Sequence, residues 1–208
     1  MEDLALRAGP QPVDGVDTGR NVVRRARSTR SQKHPRATGT LPPRGGGVSL
    51  WALEIVECSE LVGLPTSLCL LSSLTHMIMS ECPALATLPH AMGLGLHCVQ
   101  ELTLKCKKLT HLPPSFFRLT ALEQLSIVHL ARVKGPLPGG FSCFTRLREL
   151  SLLAMPHLTA LLASLAALAP TLTSLHGACC CELEVVAEEL SQLTMLHTLT
   201  LTRLDNLK

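Results

Sequence analysis

The sequence predicts an α/β chain built as a curved solenoid. A parallel β-sheet lines its concave face, and short helical or irregular segments form the convex face. Three observations predict this. Segments beginning at Leu50, Leu74, Val99, Leu122, Leu147, Leu172 and Leu196 recur at spacings of 24, 25, 23, 25, 25 and 24 residues. The first, fourth and sixth positions of each segment are aliphatic, with Gly177 the single exception. A Leu-Pro step follows at Leu64-Pro65, Leu88-Pro89, Leu112-Pro113 and Leu137-Pro138. Twenty of the 21 aliphatic positions are filled, where about ten would fall by chance at 46% hydrophobic composition.

Each part of the unit has its own reason. Apolar residues at positions four and six, with others between, mark a strand that buries one face. The pairs are Leu53-Ile55, Met77-Met79, Leu102-Leu104, Leu125-Ile127, Leu150-Leu152, Leu175-Gly177 and Leu199-Leu201. A lone strand of this length buries too little to offset its ordering entropy, so the units must stack. A second apolar marker follows at Leu61, Leu85, Leu109, Val133, Leu158, Leu183 and Leu207. Between strand and marker stands Cys58, Cys82, Cys106 (one residue early) or Cys180, with Leu130 and Met155 in the other two places. These cysteines read as small core residues or as backbone hydrogen-bond partners at the turn. The residue before each proline is driven to extended backbone, which keeps return segments such as Thr66–Ser72 to a helical turn or two. Later units keep the apolar half as Leu161 and Val186 but lose the proline, and Ala163–Ala169 reads as a better helix ending before Pro170.

This pattern, L-x-x-L-x-L-x-x-C-x-x-L-x-x-L-P-x-x-L-x-x-L, resembles the leucine-rich-repeat family over about residues 48–208. The variant with Cys and Leu-Pro is similar to the intracellular repeats of plant-type nucleotide-binding disease-resistance receptors and of Ras-signalling scaffold proteins. The resemblance implies a non-catalytic protein-binding module in immune-type sensing or signalling. A substrate-recognition adaptor of a ubiquitin ligase and a fragment of a larger receptor are the alternatives. No G-x-x-x-x-G-K-[ST] phosphate loop occurs in the chain.

Charge divides the chain in two. Its 208 residues carry 19 Lys and Arg against 16 Asp and Glu. Residues 1–47 hold nine of the bases and four of the acids, and read as a disordered basic extension with a Pro/Gly linker at Pro42, Pro43 and Gly45–Gly47. Within it, residues 20–36 read first as a solvated tail. A nuclear-import or anionic-surface patch comes second and an organelle transit peptide third. Residues 48–208 form the repeat domain of about seven units, the last incomplete at Lys208. No C-terminal cap is read in the sequence, and self-association through the apolar edge there is an expectation.

Other classes are set aside on composition. Aromatics are 2% and Tyr is absent, too few for a nucleic-acid stacking surface. The apolar stretch Leu158–Ala169 is bracketed by Pro156 and Pro170 and is shorter than the roughly 20 residues of a membrane span. The N-terminus shows no charged region followed by an apolar run, so a reducing, cytoplasmic setting is expected and the nine cysteines read as free thiols.

The candidate site is the concave face. The third, fifth and seventh strand positions point out of it. Its partner-binding residues are Glu54, His76, Ile78, Glu101, Thr103, Lys105, Gln124, Ser126, Glu149, Ser151 and His176. Their mixed, small and polar character, with an acidic bias in the earlier units, suits a protein partner. No catalytic set and no cofactor are expected. Cys179-Cys180-Cys181 with His176 and Glu182 offers a thiol or metal site as an alternative of a different class. Neighbouring residues on a strand face opposite ways, and only Cys180 takes the inward cysteine place, which opposes a converging zinc set.

Overall fold

The structure, a computed structural model, describes residues 25–29, 49–130, 132, 141–158, 165–182 and 190–204. Alternating aliphatics give the strands β2 (Ser49–Val56), β3 (His76–Ser80), β4 (Glu101–Lys105), β5 (Gln124–Val128), β6 (Glu149–Leu153), β7 (Ser174–Ala178) and β8 (Thr198–Thr202). They lie side by side in sequence order as a seven-stranded, all-parallel sheet. An eighth strand, β1 (Arg25–Thr29), pairs antiparallel along the free edge of β2. Five residues of the segment expected to be a disordered extension therefore form a strand. The rest of residues 1–47 lies outside the described residues.

The register is constant across the parallel sheet. Leu53, Met77, Leu102, Leu125, Leu150, Leu175 and Leu199 form one column, and Ile55, Met79, Leu104, Ile127, Leu152, Gly177 and Leu201 another. Through β7 every side chain in these columns is buried. The first-position residues Leu74, Val99, Leu122, Leu147 and Leu172 complete the same core, which holds no buried polar or charged residue among those described. At β8 burial fails, and Leu199 is 46% exposed. Gly177 leaves a gap in its column into which Leu201 leans, its Cδ2 3.1 Å from where a Cβ would stand.

One device ends most strands. The eighth position adopts a left-handed backbone at Glu57, Glu81, His129, Ala154, Cys179 and Arg203, with φ between 52° and 61°. There the amide turns to the next strand: Glu57 N donates to Ser80 O at 3.0 Å, His129 N to Leu153 O at 2.9 Å, and Ala154 N to Ala178 O at 2.8 Å. The unit starting at Val99 lacks this residue. Its cysteine comes one place early and its spacing falls to 23 because the left-handed step is deleted. The cysteines serve both roles expected of them. Cys82 is buried and its thiol donates to Ser80 O at 3.2 Å and Ile55 O at 3.7 Å. Cys180 repeats the arrangement on Ala178 O and Leu152 O, and Cys106 reaches Met79 O at 3.9 Å. Leu130 and Met155, in the equivalent places, are fully buried.

The return segments are short. They contain the 3₁₀ turns η1 (Thr66–Leu70), η2 (Pro114–Arg118), η3 (Phe141–Cys143) and η4 (Ala166–Leu168), and one helical turn, α1 (Met92–Gly95). Pro65 and Pro113 precede η1 and η2 with extended backbone, ψ 148° in both, as the Leu-Pro steps predict. The Leu137-Pro138 step, Leu161, Val186, the markers Val133, Leu183 and Leu207, and most of the start of the Ala163–Ala169 helix lie outside the described residues. The described part of that helix is the 3₁₀ turn η4 with Leu165 and Leu168 buried. The chain's four phenylalanines gather here: Phe144 stands 5.8–6.1 Å, centroid to centroid, from Phe116, Phe117 and Phe141. Among the described residues no helix is long and apolar enough to cross a membrane.

Candidate functional site

The sheet face turned away from the core carries three columns. The third-position column runs Ala52, His76, Glu101, Gln124, Glu149, Ser174, Thr198. The fifth runs Glu54, Ile78, Thr103, Ser126, Ser151, His176, Thr200, and the seventh Val56, Ser80, Lys105, Val128, Leu153, Ala178, Thr202. Adjacent members stand one strand spacing apart, about 4.8 Å, so the face is a grid of side chains set by the ladder.

A shallow trough of about 380 Å³ crosses this grid from β2 to β7. It brings together Glu54, His76, Ile78, Glu101, Thr103, Gln124, Ser126, Glu149, Ser151 and His176. Lys105, the remaining candidate, does not line it. Its ammonium lies 2.5 Å from the Glu81 carboxylate at the strand's end, and that hydrogen bond and charge hold the Glu81 carboxyl below the usual carboxylate range. Ala52 sits in an outward column yet is buried.

One ring contact and the Thr75 hydroxyl order the β2 end. Trp51 meets His76 edge-on at 5.4 Å, and Thr75 Oγ1 donates to Trp51 O at 2.9 Å and contacts His76 Nδ1 at 2.7 Å. The other ring nitrogen of His76 lies 3.3 Å from Glu101. At the far end His176 Nε2 lies 2.9 Å from Ser174 Oγ. Trp51 lines the trough beside these residues, and the candidate list drawn from the sequence omits it. Its second position in the unit gave no sign of that, since it falls on the inward parity of Leu53 and Ile55, and the register of β1 on β2 skips it between Ala52 and Leu50.

The stretch 176–182 is divided between environments. His176 lies in the trough, Cys180 in the core, Cys179 is half-exposed and Cys181 exposed. Glu182 turns back to His157, 2.9 Å from its Nδ1. Among the described residues, no three of His, Cys, Asp and Glu stand together as a metal set. Burial raises the Cys180 thiol, and burial together with the nearby Cys82 pushes Cys106 up to about 12.

No family model matches the chain, and no curated protein matches it.

Proposed function

We propose that this chain is a leucine-rich-repeat solenoid that works without catalysis, by recognising protein on its concave face in signalling or immune-type sensing. The observation that carries the reading is the trough. Six successive strands present it with small polar side chains, carboxylates and imidazoles in fixed register, over a sheet whose other face is the core. Such a grid has many adaptable donors and acceptors and little catalytic geometry, which suits a protein surface better than a small substrate. A reducing, cytoplasmic setting is part of this proposal, since Cys82, Cys106 and Cys180 are each buried singly against backbone carbonyls.

A photo-crosslinking residue at Ser126, in the trough, tests the reading against one at the exposed Ser142 of the return side. Adducts with protein in extract are expected from position 126. Adducts confined to position 142 would overturn the concave-face assignment. A second reading rests on β8, where Leu199 is 46% exposed: self-association along that strand. Sedimentation should then show a dimer that Leu199→Glu dissociates, and a wild-type monomer at every concentration removes the reading.

A further inference from the structure

The charges of the trough are unequal. Its lining includes Glu54, Glu101 and Glu149 and no Lys or Arg. Lys105, the one Lys or Arg in the outward columns of β2 to β8, is engaged by Glu81 away from the lining, and on β1 Arg25 stands opposite Glu54 in the register. Among the described residues Glu149 has no cation within ion-pair distance, and Glu101 has only the imidazole of His76. Glu54 is moreover half-buried. Carboxylates set along one face with few bases among them attract a cationic chain that reaches them.

The apolar groups beside these carboxylates add a second kind of information. Ile78 is 38% exposed in the same column as Glu54, and the half-buried indole of Trp51 lines the same end. Apolar surface next to carboxylate suits a side chain with an aliphatic stem and a cationic head, which lays its stem on the hydrocarbon and its head on the anion. Aromatic rings also attract such cations directly. The spacing fits an extended chain. Glu101 and Glu149 share a column two strands apart, about 10 Å, which is the rise of three extended residues.

We propose that the trough takes an extended Arg- or Lys-bearing segment of a protein partner, laid across β2 to β6. Its cations sit on Glu54, Glu101 and Glu149, and one aliphatic stem packs on Ile78 and Trp51. This rests on the concave face being the recognition surface and assigns the chemistry of what is recognised.

Trp51 is the chain's single tryptophan and lines the trough, so its emission reports on occupancy. The test uses the full chain and three synthetic peptides. The first carries the residues of 20–36 in scrambled order, with seven Lys or Arg and no acid, so that it does not reproduce the β1 segment Arg25–Thr29 that pairs along β2 beside Trp51. In the others all seven bases become Gln or Glu. The basic peptide is expected to shift Trp51 emission and to lose about tenfold in affinity between 0.1 and 0.5 M salt. It should also lose about tenfold or more with Glu149→Lys or with Glu101→Lys/Glu149→Lys. No shift with the basic peptide, or equal binding by the reversed variants, overturns the proposal. Tight binding of the Gln or Glu peptide to the trough overturns the basic partner while leaving concave-face recognition standing. Binding that begins only when the bases of residues 20–36 in the chain itself are replaced by Gln makes that segment the occupant, and overturns a partner from another chain.

Discussion

At the scale of single residues, the turn after each strand is where sequence and backbone disagree. Among the described residues six non-glycine residues stand at positive φ, a conformation that costs L-residues about 1–2 kcal/mol each. The amides of Glu57, His129, Ala154 and Cys179 repay this by donating to carbonyls of the next strand, so the strain there is tied to the ladder. Ala154 has only a methyl group to lose, and its φ is 54°. Ala154→Gly is therefore expected to stabilise the chain by about 0.5–1 kcal/mol in denaturant titration, relief of backbone strain exceeding the added unfolded-state entropy. Cys106, in the unit that lacks the left-handed residue, is chemically quiet for a local reason of its own. It is buried against carbonyls, and at pH 8 a thiol that titrates at about 12 is ionised in about one molecule in ten thousand. Iodoacetamide at pH 8 should label the exposed Cys143 and leave Cys106 unmodified until the chain unfolds, as read by mass spectrometry.

At the scale of elements, the return segments pack backbone to backbone in one place. A Cβ on Gly95 would lie 1.8 Å from Cys69 O, and one on Gly93 would lie 1.7 Å from Ser115 O. Both glycines belong to α1, which sits between η1 and η2. Gly93 N also donates to Ser115 Oγ at 3.3 Å, and that hydroxyl in turn donates to His90 O. The obstructing atoms are main chain, so they cannot swing aside as a side-chain tip does. Gly95→Ala should cost about 2–3 kcal/mol or more of stability, measured by thermal or chemical unfolding. It should leave peptide binding to the trough unchanged at temperatures where the variant is folded. A comparable loss of binding would mean that α1 and the sheet are coupled more tightly than their separation suggests.

At the scale of the whole molecule, burial depends on position in the stack. Leu125 and Leu199 occupy the same place in their units, yet Leu125 is 1% exposed and Leu199 is 46% exposed. Each unit's core residues are covered by the unit that follows, so a side chain in the last described strand has lost one wall. Leu125→Ala should cost about 2–5 kcal/mol and Leu199→Ala about 1 kcal/mol or less, compared by far-UV circular dichroism melts. Equal costs would show that β8 is covered in solution.

The residues explain why so much was legible beforehand. Leu53, Met77 and Leu102 recur at a fixed offset from their neighbours, and a parallel sheet in register is the arrangement that lets every such residue bury against its copy. Ten of the eleven site residues could be assigned to the trough because side-chain direction alternates along a strand with a period of two. Lys105 could not be excluded this way. Only its approach to Glu81, a residue swung out by its left-handed backbone, withdraws it from the lining. The early Cys106 was visible as an irregular spacing but had no meaning until the missing turn residue was seen. Phe116, Phe141 and Phe144 fill the last two apolar places of the repeat pattern, but the strand Arg25–Thr29 along β2, the place of Trp51 and the tight seat of Gly93 and Gly95 carry no periodic signal. By itself the sequence determined which residues face the core and which face outward, because that depends on local periodicity. The tertiary structure alone decided which outward residues meet, which are paired off, and where main chain touches main chain, because those contacts join residues about 22 to 27 places apart, whose distances no local pattern encodes.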